Sequence, residues 1–343
     1  MAALPGIGAM LAGGRTGPGP SRWLAMSFSS SPFLRIYDLS GSTPAQASID
    51  VLPTTANHAI AFSRDGNRFA MGGGSSPYVT WYEFNGTQWV RMGTLSGWGQ
   101  FCQGLSWDPT GRYIVGSSYS SSPYVKVWDT QAGAFTGWTF SGAITDARRA
   151  SWSLSGKYIS QNYGTSFRLW DVSSGTPVRI TTLPSSPTVY WDGWSVDDQG
   201  RDIFWVYQNS ANVYFYRIGE LGEAAPREQA SVGSSWYANA NTMSFAVNGQ
   251  FLAAARSSSP YIDLVDVYTR AVVPSPTGLS APSSGSYRAA ISENGLECVG
   301  CRGTNLTVHR FVRASLSDGW TAQNDIPNTP TNVAAVLYSP GEK

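Results

Sequence analysis

The chain has 343 residues, of which 13% are charged and 13% aromatic, and its formal net charge at pH 7 is +1. So small a net charge gives no electrostatic basis for binding nucleic acid or an anionic membrane surface. No stretch approaches the roughly 18 apolar residues that a membrane-spanning helix needs. We therefore expect neither a nucleic-acid partner nor a membrane span.

The first 20 residues differ from the rest of the chain. They are rich in Gly, Pro and Ala and show neither a helical nor a strand period. Because they lack a basic start and a continuous apolar run, we interpret residues 1–20 as a flexible arm and not as a secretory leader. The arm offers four apolar side chains that can dock into a partner: Leu4, Ile7, Met10 and Leu11. The remaining residues, 21–343, are predicted to form one domain.

This domain consists of repeats. Each copy has a turn glycine with a large apolar residue four positions before it, followed by strands with alternating apolar residues. The turn glycines are 44 to 49 residues apart: Gly66, Gly111, Gly156, Gly200, Gly249, Gly295 and Gly341. A repeat of about 40 to 50 residues built from short strands is typical of a β-propeller. The sequence therefore predicts an all-β, seven-bladed β-propeller.

One repeat is divided between the two ends of the chain. Residues 22–38 carry only the second half of a unit, and residues 333–343 carry the first half, with Leu337 and Gly341 at the expected places. We predict that the C-terminal strand pairs with the N-terminal strands in one blade. This pairing closes the ring and leaves no unprotected strand edge.

An aromatic residue followed by an acid ends the third strand of four copies: Tyr37-Asp38, Tyr82-Glu83, Trp128-Asp129 and Trp170-Asp171. Together with the S-x-D-G-like turn, this pair resembles WD40-type repeats. The fuller pattern, A-F-S-x-D-G and then S-S-P-Y-V, is similar to propeller repeats of tailed-bacteriophage tail and virion proteins. Copies five and seven depart from it, with Arg217 and Arg310 in place of the acid. The WD40 resemblance implies a scaffold that binds through loops, and the phage resemblance implies a virion component.

Four copies contain Ser-Ser-Pro followed by an aromatic residue. Local turn chemistry can explain this motif, because proline fixes its own backbone angle and the serine hydroxyls can bond to the turn. On one face of a disc the four rings also form a surface for a sugar or a protein. The candidate binding residues are Phe33, Tyr78, Tyr124 and Tyr261.

The linkers between blades are expected on the same face and carry further aromatic residues: Trp98, Trp138, Trp236 and Tyr237. Aromatic residues in Gly/Ser-rich loops are candidates for binding. Packing over the blade edges is the alternative interpretation.

The residues that metals and cofactors use are sparse. Cys298 and Cys301 form a C-x-x-C pair, a spacing found in metal sites, but the chain has only three cysteines and two histidines. The repeat places this pair, like His58 and His309, in strands or their turns. We therefore expect no metal ion and no cofactor.

Asp192, Asp197 and Asp198, in W-D-G-W-S-V-D-D-Q-G, are the candidates for a metal ion or an acid pair. Adjacent residues of a strand point to opposite faces, and acids in turns usually stabilise the turn. We therefore expect the protein not to be an enzyme. If it were a propeller hydrolase or lactonase, replacing any of these three acids with Asn should abolish the activity.

The sequence thus favours a non-enzymatic structural or binding protein located in a bacteriophage virion, in the tail or on the capsid. Its arm, residues 1–20, docks to another virion protein, and its loop face binds a surface glycan or protein of the host. A WD40-type interaction scaffold is the alternative, and a propeller hydrolase or lactonase is a third hypothesis.

Overall fold

The structure is a computed structural model of the chain. It describes residues 22–55, 57–118, 122–145, 149–163, 166–181, 189–196, 202–208, 212–218, 228–231, 243–245, 250–255, 261–277, 287–302, 308–323, 325–326 and 333–340. The predicted arm, with Leu4, Ile7, Met10 and Leu11, lies outside these residues.

The described strands form seven four-stranded antiparallel sheets. We call each sheet a blade and number the blades in chain order. Blade one contains β1 (Trp23–Phe28), β2 (Leu34–Asp38), β3 (Ala45–Gln46) and β28 (Val333–Tyr338). Blade two contains β4 (Asn57–Phe62), β5 (Arg68–Gly73), β6 (Val79–Phe84) and β7 (Trp89–Thr94). Blade three contains β8 (Cys102–Trp107), β9 (Tyr113–Ser118), β10 (Val125–Asp129) and β11 (Ala134–Phe135).

The other four blades follow the same plan. Blade four contains β12 (Arg149–Trp152), β13 (Tyr158–Tyr163), β14 (Ser166–Asp171) and β15 (Val178–Ile180). Blade five contains β16 (Val189–Val196), β17 (Asp202–Gln208), β18 (Asn212–Arg217) and β19 (Glu228–Ser231). Blade six contains β20 (Met243–Phe245), β21 (Phe251–Ala255), β22 (Ile262–Asp266) and β23 (Ala271–Val273). Blade seven contains β24 (Tyr287–Ile291), β25 (Glu297–Arg302), β26 (Val308–Val312) and β27 (Thr321–Ala322).

Neighbouring blades contact one another mainly through their first strands. The contacting pairs are β28 with β4, β4 with β8, β8 with β12, β12 with β16, β20 with β24, and β24 with β28. Blades five and six meet through β19 and β23. The arrangement is an all-β propeller, the fold class that the repeats predict.

The two ends of the chain pair in blade one. β28 lies antiparallel to β1, with Leu24 opposite Tyr338 and Ala25 opposite Leu337. Beyond the strand, the Ser339 N–H donates to the Trp23 carbonyl at 2.8 Å, and the Ser339 hydroxyl accepts from the Trp23 N–H at 3.0 Å. The N- and C-terminal strands thus belong to one sheet, as the divided repeat indicates.

The repeated glycines have a conformational role. Gly66, Gly111, Gly156 and Gly295 have φ values of 70° to 77°, which side chains with a Cβ rarely adopt. Each donates its N–H to the carbonyl three residues earlier at 2.9 to 3.0 Å, which closes the turn between the first and second strands.

The apolar residue four positions before the glycine is buried in blades two, three, four and seven: Phe62, Trp107, Trp152 and Ile291. In blade five the residue four positions before the glycine is Val196, whose side chain lies outside the described part. Trp194, which is 1% exposed, pairs with Phe204 just as Trp107 pairs with Ile114. β16 continues its pairing for two residues beyond Trp194, with Ser195 opposite Ile203 and Val196 opposite Asp202.

The sequence alignment of blade seven is also corrected. Arg310 was expected at the acid position, but Val312 lies there, opposite Glu297, just as Asp129 lies opposite Tyr113. Arg310 lies two residues earlier, opposite Val299, and its guanidinium binds the Glu297 carboxylate. An ion pair between β25 and β26 therefore stabilises blade seven, and its arginine stands two residues before the acid position of the repeat.

Candidate binding face

The strand order fixes what lies on each face of the disc. Because the strands of a blade alternate in direction, the turn between the second and third strands emerges on the same face as the linker to the next blade. We call this face the turn face. It carries the Ser-Ser-Pro turns and the linkers, as the sequence predicts.

Three Ser-Ser-Pro turns share one construction. The peptide bonds before Pro32, Pro77 and Pro123 are cis. In each turn the N–H at the end of the second strand donates to the carbonyl of the aromatic residue after proline: Phe28 to Phe33 at 2.9 Å, Gly73 to Tyr78 at 2.7 Å, and Ser118 to Tyr124 at 2.9 Å. The backbone of each aromatic residue is therefore fixed by its own turn.

The side chains of the four candidate aromatic residues differ in their surroundings. Phe33, Tyr78, Tyr124 and Tyr261 are all half-buried, and each belongs to a different blade. Tyr78 packs against the apolar cluster that contains Trp107 and Trp128, so it is largely structural. Phe33 and Tyr261 have left-handed backbones, with φ of 56° and 67°. Three of these rings belong to the consecutive blades one, two and three, and Tyr261 belongs to blade six.

The prediction that Trp98 is a surface binding residue is wrong. Its side chain is 1% exposed and belongs to the apolar cluster between blades two and three. It reaches this place because β9 has Gly116 beneath it, where any Cβ would collide with the indole ring. Packing over the blade edge, the alternative interpretation, is therefore the correct one for this residue.

Lys126 holds the same linker in place. Its ammonium donates to the carbonyls of Gly97 and Trp98, both at 3.0 Å, and lies 5.2 Å from the centre of the Phe135 ring. Burial lowers the pKa of Lys126 below its usual value. Arg168, at the same position in blade four, donates to the Gly142 carbonyl at 3.3 Å. Both cations therefore fasten the linker that precedes their blade.

A groove of about 600 Å³ opens beside the Tyr124 turn, between β10 and the linker to blade four. This volume lies within the range of about 300 to 1,000 Å³ that is usual for small-ligand sites. Its lining comes from the turn, β10 and the linker: Ser122, Pro123, Tyr124, Val125, Lys126, Val127, Phe135, Thr136, Gly137, Trp138, Thr139, Phe140, Gly142 and Ala143. The sequence predicts Tyr124 and Trp138 as candidate binding residues, but it does not predict the groove.

Beside the groove the fourth strand of blade three separates early from β10, as the fourth strand of blade one does from β2. β11 pairs only with Trp128 and Asp129, and the Thr136 N–H then donates to the Val127 carbonyl at 2.9 Å. In blade two the Leu95 N–H donates to the Val79 carbonyl at 3.0 Å, and in blade seven the Ile326 N–H donates to the Val308 carbonyl at 2.9 Å. Val79 and Val308 are the first residues of their strands, as Val125 is of β10. Among the described residues of blade three, no such bond reaches Val125.

The linker wall of the groove is held at several points. The Trp170 indole donates to the Ser141 carbonyl at 3.1 Å. The buried Gln161 amide bonds to both the N–H and the carbonyl of Ile144, at 2.7 and 3.1 Å. Trp138 packs against Trp152, with ring centres 6.1 Å apart. The groove is therefore formed before any ligand arrives.

The groove is nearly free of charge. None of its lining residues is acidic, and Lys126 is the single basic one. Because the Lys126 ammonium is bonded to Gly97 and Trp98 in the preceding linker, it is engaged on the other side of the blade. What remains on the walls is aromatic rings, threonine and serine hydroxyls, and aliphatic side chains.

The other candidate residues do not converge on a site. Cys102 and Cys298 are buried, and burial raises the pKa of both thiols. His309 bonds to Asp325 at 2.9 Å. Within the described ranges, no three His, Cys, Asp or Glu side chains lie together as a metal site requires, and no helix is long and apolar enough to cross a membrane.

Several predicted residues are not placed. The backbones of His58, Asp192 and Cys301 lie in β4, β16 and β25, but their side chains are outside the described part. Asp197, Asp198, Trp236 and Tyr237 lie entirely outside it. The predictions for these residues stay predictions.

Solved structures with the same fold include proteins of several bacteria. A functionally unknown protein from Desulfotomaculum acetoxidans has a TM-score of 0.68 at 9% identity, covering 93% of this chain and 100% of that one. A protein from Lactobacillus plantarum has a TM-score of 0.67 at 9% identity, with coverages of 93% and 99%. The periplasmic gluconolactonase of Pseudomonas aeruginosa has a TM-score of 0.67 at 12% identity, with coverages of 94% and 99%.

At such low identity these likenesses show the propeller fold alone. No protein-family profile matches the chain. No curated protein matches it either.

Proposed function

We propose that this chain is a non-catalytic structural and binding protein of a bacteriophage particle, built as one closed disc of seven blades. Residues 1–20 dock to another virion protein, and the turn face binds a surface glycan of the host. The virion setting rests on the resemblance of the A-F-S-x-D-G and S-S-P-Y repeats to those of tailed phages.

The groove on blade three carries the binding role. Blades two and seven continue their strand pairing at the corresponding position, so propeller folding does not require an opening there. The opening is also lined by a preformed turn and a pinned linker. A concave site with rigid walls lowers the entropic cost of binding, which is what a recognition surface needs.

The arm is tested by replacing its apolar side chains Leu4, Ile7, Met10 and Leu11 with Ser. We expect the purified variant to keep the thermal unfolding midpoint of the natural chain but to be absent from phage particles. A variant with Arg15 and Thr16 replaced by Ser serves as the control and should be incorporated normally. Equal incorporation of both variants contradicts docking through the arm. Capture of a host protein by the isolated chain, with no phage protein present, favours the interaction scaffold instead.

The likeness to the gluconolactonase of Pseudomonas aeruginosa favours a second candidate function, hydrolysis of a sugar lactone. This candidate is tested by incubating the full chain with glucono-δ-lactone and following acid release. Turnover that disappears in Asp192→Asn, Asp197→Asn or Asp198→Asn establishes an enzyme. Acid release at the spontaneous rate leaves the binding role as the supported one.

A further inference from the structure

We propose that the groove between β10 and the 136–143 linker binds a neutral oligosaccharide, with Tyr124 and Trp138 as its aromatic walls. This inference rests on the proposed binding role of the turn face and narrows it to one groove and one class of ligand.

The charge of the lining selects against most ligand classes. Phosphates, sialic acids and acidic peptides need cations that can reach them, and basic peptides need carboxylates. The lining has no acid, and its single cation, Lys126, is occupied by the carbonyls of Gly97 and Trp98. The exposed Arg179 guanidinium lies against Gly142 at the linker end but is not part of the lining. An ionic ligand among the lining residues would therefore lose its hydration without gaining a charged partner there.

The chemistry of the walls matches the two kinds of surface on a sugar ring. Tyr124, Phe135 and Trp138 provide flat apolar surfaces for the C–H face of a pyranose. Ser122, Thr136 and Thr139 provide hydroxyl groups at the rim, where ring hydroxyls can exchange hydrogen bonds. Thr139 is exposed and Tyr124 is half-buried, so both can be reached by a ligand.

The positions of these groups are fixed beforehand. The Ser118 hydroxyl donates to the Pro123 carbonyl at 2.9 Å, and the Ser118 N–H donates to the Tyr124 carbonyl at 2.9 Å. On the opposite wall, the Trp138 N–H donates to the Thr136 hydroxyl at 3.3 Å. Rigid aromatic walls favour a ring-shaped ligand, because little side-chain freedom is lost on stacking.

The edge of β10 suits a peptide less well. A peptide that adds a strand gains its affinity from a row of main-chain bonds. Alternate residues of a strand face outward, and Val127 is already bonded to Thr136, so Val125 is the one outward-facing residue left in β10. A single residue gives too short a row for strand addition.

The test applies the full-length protein to an array of neutral hexose and N-acetylhexosamine oligosaccharides together with sialylated and uronic-acid oligosaccharides. Bound sugars are then titrated calorimetrically. Tyr124→Ala removes one wall, and Thr139→Glu places a charge at the rim. The matched controls are Tyr268→Ala, a half-buried ring in the turn after β22 on the opposite face, and Thr94→Glu, at an exposed residue of β7 in blade two.

We expect binding of neutral oligosaccharides that weakens about tenfold in Tyr124→Ala, as the loss of one stacked ring predicts. Thr139→Glu should weaken the same sugars, while both control variants bind like the natural protein. The inference is overturned if no neutral sugar binds, if only acidic sugars bind, if Tyr268→Ala weakens binding as much as Tyr124→Ala, or if the groove binds a peptide instead. If no sugar binds but the chain is still incorporated into particles through its arm, the sugar site is ruled out and the virion role is not.

Discussion

Tyr338 of the C-terminal strand donates its hydroxyl hydrogen to Oε1 of Glu297, at 3.0 Å, and so ties blade one to blade seven. The same carboxylate accepts two bonds from Arg310, at 2.7 and 3.1 Å. These groups lie where the closing strand β28 meets the last complete blade. The contact therefore links the joined ends of the chain to the neighbouring sheet.

Replacing Tyr338 with Phe should lower the free energy of unfolding by about 1.5 to 3 kcal/mol, because a buried bond to a charged acceptor is lost. Urea unfolding at pH 7 measures this change. The control is Tyr82→Phe, whose hydroxyl donates to the neutral Val51 carbonyl at 3.2 Å and should cost about 0.5 to 1.5 kcal/mol. An equal or smaller loss for Tyr338→Phe contradicts a role for this bond in closure.

The same tyrosine predicts a pH dependence. Burial, with the nearby Glu297 carboxylate adding to it, raises the pKa of Tyr338 well above its usual value of 10.0. The folded chain thus keeps the phenol proton where the unfolded chain has lost it, so the stabilisation is complete below about pH 10 and is lost as the pH rises further. Tyr338→Phe should show a shallower fall in the free energy of unfolding above about pH 10 than the natural chain. Parallel curves for the two proteins would rule this contribution out.

Asp129 should contribute more to the free energy of unfolding than Glu83, although both stand at the acid position of the repeat. Asp129 accepts two bonds of 3.1 Å from Arg112 Nε, and it also accepts from the N–H groups of Gln131 and Ala132 at 2.9 and 3.2 Å. Glu83 lies 3.4 Å from the Arg68 guanidinium, and its side chain is 39% exposed against 10% for that of Asp129. We expect Asp129→Ala to cost about 1 to 3 kcal/mol and Glu83→Ala less than about 1 kcal/mol, measured by urea unfolding. Equal costs would show that the turn bonds of Asp129 contribute nothing.

The sequence predicts the fold because every blade repeats the same local requirements. A glycine with positive φ stands at the first turn of blades two, three, four and seven, and the buried residue before it follows from the strand period. In blade five, counting from the glycine selects Val196, whereas the strand pairing places the buried Trp194 opposite Phe204. The register of Arg310 was likewise not predictable, because its partner Glu297 lies on another strand.

The binding face was predictable only in part, because it depends on contacts between distant segments. Trp98 lies in a Gly-rich linker like a surface residue, yet it is buried because β9 has a glycine under it. Gly116 within an apolar strand was the signal that another group approaches closely there. The groove beside Tyr124 lies between β10 and the linker, and composition alone does not reveal how that linker runs.

Replacing Trp98 with Ala should lower the free energy of unfolding by about 3 to 5 kcal/mol, because it leaves a cavity between blades two and three. Thermal or urea unfolding measures this loss. Met92 is 51% exposed, and Met92→Ala should change stability by less than about 0.5 kcal/mol. A Trp98→Ala variant that keeps its stability but binds ligand less well would instead indicate that Trp98 is a surface binding residue.

Whether this disc belongs to a virion is measured most directly by quantitative mass spectrometry of phage particles from cells that produce the chain. The particles are purified through successive density gradients, and the chain is quantified against the major capsid protein. We predict a constant ratio of the two proteins through every gradient. A chain that is abundant in the lysate but falls away from the particles at each step would contradict the virion role.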